Sequence, residues 1–451
     1  MSSSTTKAGA VVCSRCKIEE SLLVTRKEAF CSSCFTKFIS NKQRKLMSSD
    51  KFKVKYGKQV NEIHKVLLCL SFGRSSLVLL DIIINLLKEQ RSIHRGRQGF
   101  KLVVIDIEFK ILNIDSFLSG SYDFERIKLF KDFNSMIIKD GSSLDEKFPQ
   151  TVQELLSKCS SNSSVEDLLD IIYNELYFNT CKSEDCHTMI FGHSMTKLAV
   201  DILALTIKGR GSLVNQRVTD GIHTYQKYQV EVVHPLRDVL DSEIDKYLDL
   251  NNLMQFCDNN NDTNTTLAIK KLTKNMTIGE ITRRYFDTLD KDYSETVSTV
   301  VKIGSKLIDP ISEKNDEKDD NNGIQFCKIC NCKIFKNPQA WLNRITVEEP
   351  FPITNDEERA AYEMYKEAAL QISPDNLEEE EEEEEEEGVP QKEPISLCYG
   401  CLVTIGGVPK EGLDWPVRNQ ETQEILNEYI LTDNGSDDDG NDDDNDDDGG
   451  N

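Results

Sequence analysis

Short apolar runs alternate along the chain with longer segments in which apolar side chains recur every three or four residues. The short runs predict strands at 65–70, 101–107, 188–191 and 228–233. The periodic segments predict helices at 77–87, 165–177, 195–207 and 242–250. Because strands and helices alternate, we expect an α/β fold built on a doubly wound parallel sheet.

The turn after the first predicted strand reads Ser-Phe-Gly-Arg-Ser-Ser at 71–76. In a doubly wound sheet, ligands bind beyond the carboxyl ends of the strands, where helix N-termini present free backbone N–H groups. Candidates for a phosphate-binding loop are therefore Ser71, Gly73, Arg74, Ser75 and Ser76. The alternative is structural, because Ser75 or Ser76 is also a natural helix N-cap.

Two acidic runs account for most of the formal net charge of −24. Ten glutamates stand at 378–387 and ten aspartates lie within 433–448, so the rest of the chain carries about −4. These runs predict disordered, solvated segments, and they do not exclude nucleic-acid binding elsewhere. No signal segment follows Met1, and the longest apolar stretch, 77–87, is too short to span a bilayer. We therefore expect a protein of the cytosol or nucleus without membrane association.

Eight of the fourteen cysteines occur in C-x-x-C pairs. The first two pairs are Cys13, Cys16, Cys31 and Cys34, and the last two are Cys327, Cys330, Cys398 and Cys401. Four thiolates can surround one zinc ion, and such a site stabilises a unit too short to form a large core. We expect two structural zinc sites. Iron–sulfur chemistry and free thiols are the alternatives, and Cys332 is a rival ligand in the second site.

Cys181 and Cys186 precede the predicted strand at 188–191. In a sulfur-transfer enzyme, cysteines at this position could carry a persulfide or bind a cluster. Their C-x4-C spacing is not that of a zinc knuckle, and partly buried thiols are the simpler interpretation.

The composition shifts predict six segments. They are an N-terminal zinc ribbon-like module at 1–40, a basic linker at 41–60, an α/β domain at 61–311, a linker at 312–323, a C-terminal cysteine module at 324–415 with an acidic insertion at 372–394, and a segment with an acidic tail at 416–451.

Ten basic residues are candidates to follow an RNA backbone, although most charged runs are simply solvated. They are Lys42, Arg44, Lys45, Lys51, Lys53, Lys55, Lys58, Lys208, Arg210 and Arg237.

Several motifs follow one another along the chain: the N-terminal C-x-x-C pairs, S-F-G-R-S-S, G-H-S-M-T-K-L-A at 192–199, K-G-R-G at 208–211, H-P-L-R-D at 234–238 and a closing C-Y-G-C. Together they resemble the second subunit of the cytosolic tRNA 2-thiolation complex. The resemblance implies a degenerate ATP-pyrophosphatase-type domain of the adenine-nucleotide alpha-hydrolase-like fold. Active relatives read S-G-G-x-D-S and G-H-N-A-D-D, whereas here Phe72 and Ser75 replace a glycine and an aspartate. Gly192 and His193 are retained, but no carboxylate follows them.

The resemblance implies a cytoplasmic heterodimer with an active thiouridylase subunit that 2-thiolates the wobble uridine of lysine, glutamine and glutamate tRNAs. Sulfur would come from a thiocarboxylated ubiquitin-related modifier, and the same pathway implies a role in conjugating that modifier to proteins. Because the lost carboxylates are the expected magnesium ligands, ATP would be bound by the partner. We therefore expect a non-catalytic or weakly catalytic binding subunit.

Two other functions compete with this expectation. In the first, the altered loop still binds ATP, and the chain is a competent tRNA-adenylating sulfurtransferase subunit in which His193 could act as an acid or base. In the second, the zinc modules form a scaffold unrelated to RNA.

Overall fold

The computed structural model describes most of the α/β domain, most of the N-terminal cysteine module and the part of the C-terminal module around its four cysteines. The described residues are 11–56, 64–104, 113–118, 125–129, 135–139, 151–159, 161–225, 228–257, 276–307, 326–334, 359–360, 397–406 and 412–416. The linker at 312–323, the acidic insertion at 372–394, the tail beyond 416 and Lys58 lie outside these residues, so their predicted character stays a prediction.

The described strands are numbered in chain order. They are β1 (Leu23–Thr25), β2 (Glu28–Phe30), β3 (His64–Cys69), β4 (Phe100–Val104), β5 (Glu125–Leu129), β6 (Ser135–Lys139), β7 (Thr188–Phe191), β8 (Gly221–Tyr225), β9 (Tyr228–Val233) and β10 (Leu413–Pro416). The described α-helices are α1 (Ser32–Leu46), α2 (Arg74–Ile93), α3 (Val152–Ser157), α4 (Asn162–Ser183), α5 (Met195–Ile207), α6 (Val214–Val218), α7 (Asp241–Leu250), α8 (Ile278–Asp292), α9 (Ser294–Gly304) and α10 (Tyr399–Ile405).

A five-stranded sheet in the order β4-β3-β7-β9-β8 forms the centre of the α/β domain. Strand β3 is parallel to β4 and β7, and β7 is parallel to β9. The doubly wound parallel sheet predicted from the sequence is thus confirmed. Strand β8, which the sequence did not predict, pairs antiparallel with β9 at the edge. Its Ile222 is exposed, so the strand lacks the buried apolar pattern on which the predictions relied.

Alternate side chains of β3 face the two helical layers. Val66 and Leu68 belong to a core formed with α1, α2 and α7. Leu67 packs on the opposite face in a cluster that includes Cys181 at the end of α4. This alternation is the period of two expected of a strand that is buried on both faces.

The N-terminal module continues into the α/β domain without a linker at 41. Helix α1 runs to Leu46 because Phe35, Ile39 and Gln43 lie along its buried face. The basic residues Lys42, Arg44 and Lys45 are therefore helical. A short 3-10 helix at Asp50–Phe52 follows, and Phe52 packs edge-on against Phe100 at the start of β4.

The C-terminal cysteine module shares a core with the middle of the chain. Strand β10 pairs antiparallel with β5, and β5 pairs with β6, giving a separate three-stranded sheet. Trp415 of β10 packs against Phe117, and both belong to a cluster that contains Leu168 of α4 and Cys401. The predicted boundary near 312–323 therefore does not separate two independent cores.

Candidate functional site

The first four-cysteine group lies at the N-terminus. The β1-β2 hairpin carries Cys31 to the N-cap of α1, and the Sγ atoms of Cys13, Cys16, Cys31 and Cys34 all lie within 4.8 Å of one another. Cys16 and Cys31 are 3.8 Å apart at sulfur. A tetrahedral site with metal–sulfur bonds of about 2.3 Å has sulfur–sulfur edges of about 3.8 Å. The group therefore fits a single metal ion.

The second group joins the two C-terminal pairs that the sequence placed together. The Sγ atoms of Cys327, Cys330, Cys398 and Cys401 lie within 4.8 Å of one another, and those of Cys330 and Cys398 are 3.5 Å apart. Cys398 is the N-cap of α10. Cys332 is outside the group and directs its Sγ to the Cys330 carbonyl at 3.4 Å. The long separation in sequence does not prevent the pairs from converging.

Arg210 is buried beside this second group and does not belong to an exposed RNA-binding surface. Its Nη2 lies 3.4 Å from Cys401 Sγ, and its Nε donates to Asp167 Oδ2 at 2.8 Å. Thr404 Oγ1 donates to the same carboxylate at 2.6 Å. Burial disfavours the guanidinium charge, but Cys401 and Asp167 raise the pKa of Arg210 well above its usual value. The RNA prediction for Arg210 is thus wrong.

Two glycines permit the close contact between the K-G-R-G loop and the C-terminal module. Gly209 has φ of +72°, and a Cβ there would lie 2.4 Å from the Tyr399 ring. A Cβ on Gly400 would lie 2.4 Å from Cγ of Arg210. Each segment therefore places a side chain over the other segment's glycine, which explains why both motifs need glycine at those positions.

Six more predicted RNA-binding cations form ion pairs within the fold. Lys208 is buried and pairs with Glu166 at 3.0 Å. Lys42 Nζ lies 3.0 Å from the buried Glu243 carboxylate, which also binds Arg26. The remaining pairs of this kind are Arg237 with Asp220 at 3.5 Å and, in the segment predicted as a linker, Arg44 with Glu89, Lys51 with Glu231 and Lys53 with Asp50. Lys208 in particular is inaccessible to RNA, which corrects its prediction.

The altered phosphate-type loop connects β3 to α2 at the carboxyl edge of the sheet, as predicted. Helix α2 begins at Arg74, and its N-cap is Gly73, without a side-chain cap. The prediction that Ser75 or Ser76 caps the helix is therefore wrong. Ser76 Oγ instead donates to the Gly73 carbonyl at 2.9 Å and lies 3.3 Å from Ser71 Oγ.

Arg74 and Gly192 complete this closed arrangement. The Arg74 guanidinium forms an ion pair with Asp245 of α7. Gly192, at the end of β7, lies so close to the loop that a Cβ there would be 2.7 Å from Cα of Ser76. The loop at 71–76 and the segment that begins at Gly192 are thus adjacent. The hydroxyls of Ser71 and Ser76 and the guanidinium of Arg74 already have partners within the protein.

His193 is buried in a stack of rings. Its ring lies 5.3 Å from that of Phe191 and 5.4 Å from that of His234. Burial, with a smaller contribution from His234, holds the pKa of His193 well below its usual value. Ser194, which follows it, caps α5 by accepting from Lys197 N at 3.0 Å. The imidazole is neutral at physiological pH, which makes it a poor proton donor.

Cys181 and Cys186 are both fully buried. Cys181 Sγ donates to the Cys186 carbonyl at 3.1 Å, and Tyr228 donates to that carbonyl at 2.5 Å. This environment favours the interpretation as interior thiols over that of a sulfur carrier.

The fold and its sites define a doubly wound α/β protein with a self-paired phosphate-type loop and two four-cysteine groups suited to metal. A family model described as cytoplasmic tRNA 2-thiolation protein 2 matches residues 277–403. The protein of that name from Debaryomyces hansenii is 40% identical, over 95% of this chain and 97% of the relative. The one from Scheffersomyces stipitis is 39% identical, over 93% and 96%. The chain belongs to the cytoplasmic tRNA 2-thiolation protein 2 family.

A comparison with solved structures finds the U34-tRNA thiolase NcsA from Methanococcus maripaludis, solved with its [4Fe-4S] cluster. The match covers 75% of this chain and 97% of that chain, with a TM-score of 0.40 and 12% sequence identity. Within the described part of this chain, each helix is too short or too polar to cross a membrane.

Proposed function

We propose that this chain is the non-catalytic or weakly catalytic subunit of a cytoplasmic heterodimer that 2-thiolates the wobble uridine of lysine, glutamine and glutamate tRNAs. Its partner is an active thiouridylase that binds ATP and activates the uridine. A thiocarboxylated ubiquitin-related modifier supplies the sulfur, and the complex also takes part in conjugating that modifier to proteins.

The observation that carries this proposal is the self-paired loop at 71–76. A phosphate-binding loop needs free donors, but Arg74 is paired with Asp245 and Ser76 donates to the backbone of its own turn. Adenylation also depends on magnesium to neutralise phosphate charge. At the positions where the resemblance expects carboxylates, the chain has Ser75 in the first motif and Thr196 and Lys197 in the second. These features support a subunit that does not activate the substrate itself.

We assign zinc to both four-cysteine groups. The sulfur–sulfur distances of 3.8 Å between Cys16 and Cys31 and 3.5 Å between Cys330 and Cys398 match the edges of a tetrahedron around one ion. An iron–sulfur cluster of four irons binds each cysteine through a different iron, which requires the sulfurs to lie farther apart. Zinc would supply structural cross-links here and take no part in sulfur transfer.

Release of pyrophosphate separates a binding subunit from an adenylating enzyme. When the uridine C2 oxygen attacks the α-phosphorus of ATP, the bond to pyrophosphate breaks, and one pyrophosphate is released for each adenylated tRNA. We expect the purified full-length chain, with ATP, magnesium and unmodified lysine tRNA, to release no pyrophosphate above the rate without tRNA.

The matched control is the same assay on the chain co-purified with its thiouridylase partner, in which release should appear. A Ser71→Ala/Ser76→Ala variant of this chain should leave the rate of that complex unchanged. If the chain alone releases pyrophosphate faster with tRNA than without it, the non-catalytic assignment is wrong.

A further inference from the structure

An exposed basic surface lies at the amino edge of the central sheet, where α2 ends and β4 begins. Its side chains come from the end of α2, the turn at 94–99, the start of β4 and Tyr56, which follows the 3-10 helix. We call it the amino-edge surface, and it consists of Tyr56, Arg91, His94, Arg95, Arg97 and Lys101. The RNA-binding candidates predicted from the sequence lie at 42–58 and at Lys208, Arg210 and Arg237, and none of them belongs to this surface.

The amino-edge surface carries positive charge that the fold does not neutralise. From 90 to 105 the chain contains no acidic residue. Arg91 donates to the neutral Gln98 side chain at 2.7 Å. Within the described residues, Arg95, Arg97 and Lys101 form no ion pair with a carboxylate, unlike Lys208, which is paired inside the protein. The helix dipole favours cations in the last turn of a helix. It does not explain the positions of Arg97 and Lys101, because both lie beyond the last turn of α2.

The backbone beneath these cations is firmly positioned. Gln90 donates to the Phe52 carbonyl at 3.0 Å and accepts from Gly99 N at 2.8 Å. A Cβ on Gly99 would lie 2.2 Å from the Phe52 carbonyl oxygen, so the two segments are in close contact. Arg95 and Gly96 adopt φ of 55° and 84°, which turns the chain back sharply after α2. The charges are thus presented by a defined turn.

An aromatic ring lies among the cations. Tyr56 is 56% exposed, its hydroxyl hydrogen-bonds His94 Nδ1, and the Arg97 guanidinium carbon lies 5.6 Å from its ring centre. Planar guanidinium groups bind phosphate oxygens in a bidentate manner, and an exposed tyrosine can stack on an unpaired base. Cations combined with an aromatic ring are a feature of RNA-binding surfaces.

We propose that the amino-edge surface binds the sugar–phosphate backbone of tRNA, with Arg95 and Arg97 as its main phosphate contacts. This inference rests on the proposed function, because tRNA is the substrate assigned there. The surface lies at the opposite edge of the sheet from the loop at 71–76. Strand β3 has six residues, so the two edges are roughly 20 Å apart. The tRNA is therefore held away from the altered loop.

The test compares tRNA affinity of the full-length chain and of an Arg95→Gln/Arg97→Gln variant by fluorescence anisotropy, using unmodified lysine tRNA at several salt concentrations. Each phosphate contact contributes about 0.7–0.9 to the slope of log affinity against log salt. We expect the variant to bind about tenfold more weakly near 0.1 M salt, with a slope lower by about 1.5.

The matched control is Lys302→Gln/Lys306→Gln, which removes two exposed positive charges at the end of α9. It should bind tRNA within about twofold of the wild-type chain, because salt screens the attraction between tRNA and exposed charges that do not contact it. Equal losses in both variants, unchanged affinity in the Arg95/Arg97 variant, or no tRNA binding by the wild-type chain would overturn the inference. The proposed function is tested by a different measurement, the amount of 2-thiouridine in cellular tRNA. It can therefore stand where this inference fails.

Discussion

A Cys401→Ser substitution should remove one equivalent of metal and unfold the C-terminal module. Cys401 is fully buried and belongs to the core that contains Trp415, Leu168 and Phe117. A structural zinc ion contributes on the order of 10 kcal/mol to the folding of small modules, so its loss should release β10 from β5. We expect metal analysis by mass spectrometry to fall from two equivalents per chain to one. Limited proteolysis should cleave the variant within α10, at 399–405, which the folded wild-type module protects.

Cys332→Ser is the matched control, because Cys332 lies next to the group without joining it. It should retain both metal equivalents and the protease resistance of the wild-type chain. If Cys332→Ser loses metal while Cys401→Ser retains it, the assignment of ligands is wrong.

An Arg210→Ala substitution should destabilise the chain by about 3–5 kcal/mol, because it leaves the buried Asp167 carboxylate without its main partner. It also removes the cation beside Cys398 and Cys401. We expect the midpoint of urea unfolding to fall and the C-terminal metal to be lost to a chelator at a lower concentration. An Arg210→Lys variant should recover only part of the stability, because an ammonium group cannot reproduce the bidentate contact.

An Arg210→Met/Asp167→Leu double variant separates charge pairing from packing. Removing both partners leaves no uncompensated charge, so this variant should be more stable than Arg210→Ala. Metal retention should still be weakened, because the sulfurs lack their cation. If Arg210→Ala changes neither the urea midpoint nor chelator resistance, Arg210 does not support the metal site.

Local spacing in the sequence was sufficient to predict the strands at 188–191 and 228–233, and it grouped the cysteine pairs correctly. These features depend on neighbouring residues, whose periodicity and spacing are visible in the chain. The two metal groups were the part of the site predicted most fully. The residues 105–107 of one predicted strand lie outside the described residues.

The roles of Lys208 and Arg210 could not be predicted in the same way. A K-G-R-G segment resembles an RNA-binding loop when it is considered alone. Its burial depends on Asp167 and on the cysteines near 400, which are far away in sequence. The glycines of K-G-R-G and C-Y-G-C gave a signal that was missed, because Gly209 and Gly400 each make room for a side chain of the other segment.

The helix cap at α2 was predicted incorrectly for a related reason. Ser75 and Ser76 suit an N-cap by residue type, but the helix begins earlier, at Arg74, whose guanidinium pairs with Asp245 of α7. Residue preference alone does not indicate that α2 begins at Arg74. The ion pair of Arg74 and the close approach of Gly192 to the loop are tertiary contacts found at this helix start. Turns at functional edges are where local preference and tertiary packing most often disagree.

The subunit role proposed for this chain can be tested by quantifying 2-thiouridine with mass spectrometry in tRNA from cells that lack the chain. We predict that 2-thiouridine is lost, and that the wild-type chain and a Ser71→Ala/Arg74→Ala/Ser76→Ala variant, expressed at equal levels, both restore it. Restoration by the wild-type chain alone would show that the altered loop still acts on phosphate and would contradict the non-catalytic role. Normal 2-thiouridine in cells without the chain would contradict the proposed function itself.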